Sequence, residues 1–179
     1  VQLAGILEKN QENPNLPIWA HRAQNLLYSS LEELLADPSI QVVVETIGGQ
    51  TFARKLITKI LESGRDVVTA NKDLMAVHGE ELLALAEKNG RQLLFEASVT
   101  GAIPVVRLLQ DYFHVDDIEK VSGIFNGTSN YILTEMEQKQ ISFEVALRQA
   151  QDLGFAEADP TNDIAGYDAR YKLVILTYL

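Results

Sequence analysis

Between Gly154 and Lys172 the chain reads GFAEADPTNDIAGYDARYK, which sets the carboxylates of Glu157, Asp159, Asp163 and Asp168 near a single lysine, Lys172. Asp168 and Lys172 stand four apart on an expected helix and so share a face. A lysine held among carboxylates can give a proton to, or take one from, a carbonyl or hydroxyl oxygen, while the remaining carboxylates grip a substrate ammonium group. The same residues have plainer roles open to them. Asp163 suits a helix N-cap, Asp159-Pro160 a turn, and Asp168 with Lys172 an exposed ion pair.

Other chemistry-bearing residues are spread along the chain. Lys72 follows an expected strand and so falls at the carboxyl edge of a sheet, where open α/β folds bind ligands, although a solvated loop lysine would look the same. Ile47, Gly48 and Gly49 follow the apolar run Val42 to Val44, and a Gly-Gly pair ahead of a helix lets backbone approach a ligand closely. Asn126 to Asn130 opens a helix with small and capping residues. Glu8 and Lys9 end the first expected strand, where an acid can accept the hydroxyls of a ribose and a base can hold a phosphate, so the pair leaves both open.

The elements that must position these groups come from the hydrophobic pattern. The first part alternates β-branched runs with helical periods, the form of βαβ units feeding a parallel sheet. Strands are expected over 1–7, 41–45, 66–69 and 92–95, and helices over 31–36, 51–63 and 79–89, the last two stopping at Gly64 and Gly90. Residues 14–30 carry no clean period. After Val99 the rhythm changes to a helix over 103–112, a strand over 118–125, helices over 129–139 and 142–153, a Gly/Asp/Pro-rich loop, and a last helix running to the end with Tyr171, Val174, Ile175 and Tyr178 at packing spacing. Two domains follow, residues 1–99 and 100–179. The chain begins with Val1 inside a strand and stops at Leu179 inside an apolar helical pattern, and it holds no G-x-G-x-x-G. The expected fold is therefore α/β: a Rossmann-type parallel sheet whose first βα unit and glycine-rich loop are missing, followed by an α+β substrate and dimerisation domain, itself incomplete.

Composition narrows the function. The 179 residues carry 15 Lys+Arg against 25 Asp+Glu, a formal charge of −10, which disfavours a nucleic-acid partner and favours a cationic or zwitterionic small ligand. With 46% hydrophobic residues the chain can bury a core. It lacks cysteine, and His21, His78 and His114 have no metal-ligand spacing. No apolar run approaches the roughly 20 residues of a spanning helix and no signal-peptide order opens the chain, so a soluble cytoplasmic protein with no membrane partner is the default.

The segment 154–172 also closely resembles the signature of homoserine dehydrogenases, G-[aromatic]-x-E-x-D-P-x-x-D-[aliphatic]-x-G-x-D-x-x-x-K, with every fixed position present. The blocks VVVETIGG at 42–49, VVTANK at 67–72, FEASVTGAIP at 95–104 and GIFNGTSNYIL at 123–133 resemble the same family in the same order. The resemblance implies that Lys172 is the acid/base with Asp168 beside it, and that Glu157 and Asp163 contact an amino-acid substrate. It places Lys72 at the junction of cofactor and substrate, Ile47 and Gly48 against the nicotinamide-ribose side of NAD or NADP, and Glu96, Val99, Gly101 and Ile103 around a monovalent cation such as Na or K. It further implies a homodimer and the interconversion of L-aspartate 4-semialdehyde and L-homoserine, serving threonine, methionine and isoleucine synthesis. A different member of the wider amino-acid dehydrogenase superfamily would not share the whole signature. A non-catalytic protein keeping the fold for oligomerisation or ligand sensing is the alternative of another class.

Overall fold

A computed structural model describes residues 1–8, 26–113, 115 and 117–179. Lys9, Trp19, His21 and His114, and most of the irregular stretch 14–30, lie outside the described residues. Contacts divide the chain into two units: residues 1–69 with 80–94, and residues 70–79 with 95–179.

The first unit is built on short parallel strands. β1 (Ile6–Leu7) pairs with β2 (Leu27–Tyr28), and β3 (Val42–Glu45), β4 (Asp66–Thr69) and β5 (Leu93–Leu94) form a parallel sheet in that order. The register sets Glu45 opposite Thr69 and Val67 opposite Leu93. Central β4 buries Val67 and Thr69 completely on one face, while Asp66 and Val68 on the other are part-buried. Helix α1 (Leu31–Ala36) precedes β3, and α2 (Thr51–Glu62) joins β3 to β4. In α2 the apolar residues Ala53, Leu56, Ile57, Ile60 and Leu61 recur at helical spacing and are all buried. Each buried Leu or Ile contributes roughly 1.5–3 kcal/mol by leaving water. The Arg65 guanidinium donates to the carbonyls of Ile40, Leu35 and Asp37, binding the end of α1 to the start of β3.

Helix α3 (Lys72–Lys88) starts seven residues earlier than the pattern from Gly79 predicts. Asn71 accepts the Leu74 amide at 3.1 Å and so caps a first turn whose Leu74 and Met75 are fully buried. Lys72 therefore sits on a helix and not in a loop.

The second unit is helical among its described residues. A 3₁₀ turn (Glu96–Ser98) leads to α4 (Val105–Asp111), then α5 (Gly127–Lys139), α6 (Phe143–Asp152), the short α7 (Thr161–Ile164) and α8 (Tyr167–Thr177). Ile132 of α5 packs on Ala146 and Ala150 of α6 and on Ala156, small residues that let the two helices close together. The strand expected over 118–125 does not form: alternation alone makes no ladder, the described residues of this unit contain no strand to pair with, and Ile118 and Ile124 remain exposed. The last helix also differs from the expectation. Gly166, with φ +75°, breaks it into α7 and α8, and it ends at Thr177. Among the described residues no helix is long and apolar enough to cross a membrane.

Candidate active site

Three starting points within the second unit converge on one carboxylate. Asp168 lies in the first turn of α8 and is 4% exposed. Its Oδ2 receives Lys172 Nζ at 2.8 Å, one turn along the same helix, and its Oδ1 receives Lys72 Nζ, from the start of α3, at 2.6 Å. Lys172 Nζ also donates to the Phe125 carbonyl at 2.8 Å, which aims it at the turn that precedes α5. Tyr178 near the end of α8 donates to the Met75 carbonyl of α3 at 3.0 Å, a second tie between the helices that carry the lysines. The exposed-ion-pair reading of Asp168 with Lys172 is thereby overturned, since burial removes the water that makes such pairs weak.

Asn126 completes the arrangement. As N-cap of α5 it accepts the Ser129 amide at 2.7 Å through Oδ1, which turns its Nδ2 toward two carboxylates: Asp163 Oδ1 at 2.7 Å and Asp168 Oδ2 at 3.0 Å. Its composition as a cap was legible; its bridge between acids was not. Asp163 is not an N-cap. It belongs to α7, whose N-cap is Pro160, and Ser129 Oγ donates to its carbonyl at 3.1 Å. Asp159 takes the turn role, accepting the Thr161 amide and hydroxyl. Glu157 is exposed, and its main-chain carbonyl accepts Gln151 Nε2 at 3.1 Å; its carboxylate does not join the cluster.

Electrostatics follow from this geometry. Burial pushes the Asp168 carboxyl up, but hydrogen bonds from Asn126, Lys172 and Lys72 outweigh it and hold the group below its ordinary value. Burial likewise pulls Lys72 down, and the bond and charge of Asp168, helped by Asp73 and Asp163, outweigh it and leave Lys72 raised. Asp168 is thus a fixed anion between two ammonium groups. The Lys172 ammonium can deliver a proton to a carbonyl oxygen that is gaining hydride, and its neutral amine can take one from a hydroxyl that is losing it.

The turn named from sequence for the cofactor lies in the first unit. Ile47 is exposed, and Gly48 and Gly49 adopt φ +80° and +71°, which only glycine takes without strain. A Cβ at either glycine would meet nothing within 4 Å, so their bare faces lie open. Glu45, which sequence reasoning passed over as a strand end, is 1% exposed beneath this turn. Its Oε1 accepts the amides of Ile47 and Gly48 at 2.7 and 3.0 Å, and its Oε2 accepts the Thr69 hydroxyl at 2.6 Å. A carboxylate closing an apolar strand just before Gly-Gly was the signal available.

The residues named for a cation lie together around the 3₁₀ turn. Glu96 accepts the Val106 and Arg107 amides at 2.9 and 3.0 Å, one on each oxygen, so it caps α4. The Ile103 carbonyl takes the Val105 amide and the Thr100 hydroxyl. Val99 is buried and Gly101 exposed.

The family model described as homoserine dehydrogenase, NAD binding domain, matches residues 1–96, and the one described as homoserine dehydrogenase matches residues 104–179. A homoserine dehydrogenase of Lactococcus lactis subsp. lactis is 50% identical over 159 residues, covering 87% of this chain and 37% of that protein. The crystal structure of a homoserine dehydrogenase from Thiobacillus denitrificans matches with a TM-score of 0.82 at 45% identity, over 91% of this chain and 38% of that one. A hyperthermophilic archaeal homoserine dehydrogenase in complex with NADPH matches with a TM-score of 0.76 at 30% identity, over 83% of this chain and 46% of that one. The chain spans a little over a third of the length of the Lactococcus relative.

Proposed function

The chain belongs to the homoserine dehydrogenase family, and on that premise we propose that the protein containing it interconverts L-aspartate 4-semialdehyde and L-homoserine with NAD or NADP. The observation that carries the proposal is the grip of buried Asp168 on both Lys72 and Lys172. Lys172 acts as the acid/base at the substrate oxygen, and Asp168 fixes the position of its Nζ. Asp163, held to the same cluster through Asn126, and Glu157 bind the substrate ammonium. Lys72, the more exposed of the two lysines at 37% against 21%, is assigned to the substrate and the cofactor both.

The open Gly48-Gly49 surface and the exposed Ile47 side chain fit a flat ring and ribose, which supports their assignment to the cofactor. When bound, the nicotinamide accepts or returns the hydride. The NADPH complex of the archaeal relative favours a nicotinamide cofactor here as well. For the monovalent cation, the assigned donors are Glu96 and the carbonyls of Val99, Gly101 and Ile103; the Ile103 carbonyl, with two hydrogen bonds already, would have to give one up. A homodimer and a cytoplasmic location complete the reading.

Homoserine-dependent reduction of NAD and NADP, measured with the full-length parent and with this chain, tests the proposal. Turnover in the parent is the expected result. A folded parent that oxidises no homoserine would overturn it in favour of a non-catalytic protein that keeps the fold.

A further inference from the structure

Glu45 ends β3 opposite Thr69 at the end of β4, and the Thr69 hydroxyl ties the two strand ends together through Glu45 Oε2. The other oxygen takes two amides of the turn that follows, those of Ile47 and Gly48. A free Gly-rich turn with its amides outward is a phosphate cradle. Here those amides face a carboxylate that is 1% exposed, so the turn turns its other side to solvent. That side carries the Ile47 side chain and two glycine faces where a Cβ would meet nothing.

The glycines bear on the same point. Left-handed φ at both Gly48 and Gly49 costs no strain, but the sequence also leaves such a turn free to take other shapes. The bonds from Glu45 select one of them. They run from a strand whose position is fixed by the β3–β4 ladder, so they tie the turn to the sheet.

We propose that Glu45 is a positioning residue for cofactor binding: its buried carboxylate pins the 46–49 turn in a form that offers the Ile47 side chain and two bare glycine faces to a nicotinamide ring and ribose. This rests on the dehydrogenase reading and names a residue which that reading leaves without a role.

The test is direct binding of NADH and NADPH to the full-length parent by fluorescence or calorimetric titration, alongside the KM for homoserine. Glu45→Ala frees the turn and raises both cofactor Kd values about ten-fold, which is about 1.4 kcal/mol, with homoserine KM within about two-fold. Glu45→Gln keeps an acceptor for the two amides and a donor toward Thr69, and so restores most of the affinity. A Glu45→Ala protein that binds cofactor as the wild type does, or that loses homoserine affinity in the same proportion, overturns the inference alone. If Glu45→Ala does not fold, Glu45→Met keeps the buried volume while removing both acceptor oxygens, and an unchanged cofactor Kd in that folded variant overturns it equally. A wild-type parent that binds neither nicotinamide overturns the dehydrogenase reading and this inference with it.

Discussion

The ammonium group of Lys72, in the first turn of α3, rests 2.6 Å from the carboxylate of Asp168, which α8 holds almost wholly out of water. Asp168 takes Lys172 on its other oxygen at 2.8 Å, so one acid serves two cations. Removing the acid leaves two ammonium groups facing each other, and this is the most damaging single change the site admits.

Asp168→Asn is therefore expected to lower turnover by about 10²-fold or more, because Lys172 loses the group that places its Nζ. It should also cost about 2–3 kcal/mol of stability, less than a fully buried pair because Lys72 is partly solvated. Urea unfolding of the parent and its variant, followed beside kcat, checks both values. Wild-type stability in the variant would mean that the ion pairs contribute nothing to the fold.

Lys172→Ala is expected to reduce turnover by about 10²- to 10⁴-fold while cofactor affinity stays close to normal, since the lysine acts on the substrate oxygen. Steady-state kinetics with a cofactor titration separate the two quantities. Near-normal turnover would remove Lys172 from the acid/base role.

Glu157→Ala should chiefly raise the homoserine KM. The carboxylate is exposed and outside the ion-pair cluster, so its loss disturbs neither lysine. An unchanged KM would take Glu157 out of the substrate site.

Asn126→Ala removes a donor shared by Asp163 and Asp168 and the N-cap of α5 together. The cap alone is worth about 1 kcal/mol. Because the Asn126 bond helps to hold Asp168 down, its loss raises that carboxyl toward its ordinary value, and the acid limb of the kcat profile moves to higher pH. A profile that falls in height without moving would assign Asn126 a capping role only.

The pH dependence of stability has its own signs. The Asp168 pKa is depressed on folding, so its contribution is whole above the ordinary value of 3.8 and is lost as pH falls below it. The Lys72 pKa is raised, so its contribution is whole below the ordinary value of 10.5 and is lost as pH rises beyond it. Between these limits the cluster should add no slope, and denaturant midpoints of wild type and Asp168→Asn should differ by a constant amount from about pH 5 to 9. A gap that closes within that window would contradict the assignment.

The sequence by itself determined whatever depends on near neighbours. Helix 31–36 and strand 66–69 have the bounds that the pattern predicts, because caps, β-branched runs and helical period act over a few residues. The pairing of Asp168 with Lys172 follows from the same period, and the Gly48-Gly49 turn from the freedom of glycine at positive φ. The tertiary structure decided everything that joins distant segments. No local rule brings Lys72 to Asp168 or turns one amide of Asn126 onto two acids, and none shows that Glu45 has the amides of Ile47 and Gly48. The predicted strand over 118–125 failed for the same reason, since a strand exists only where another chain segment completes its hydrogen bonds. Residue types fix what a side chain can do, but burial and partners fix what it does, and both arise only when the chain has closed on itself.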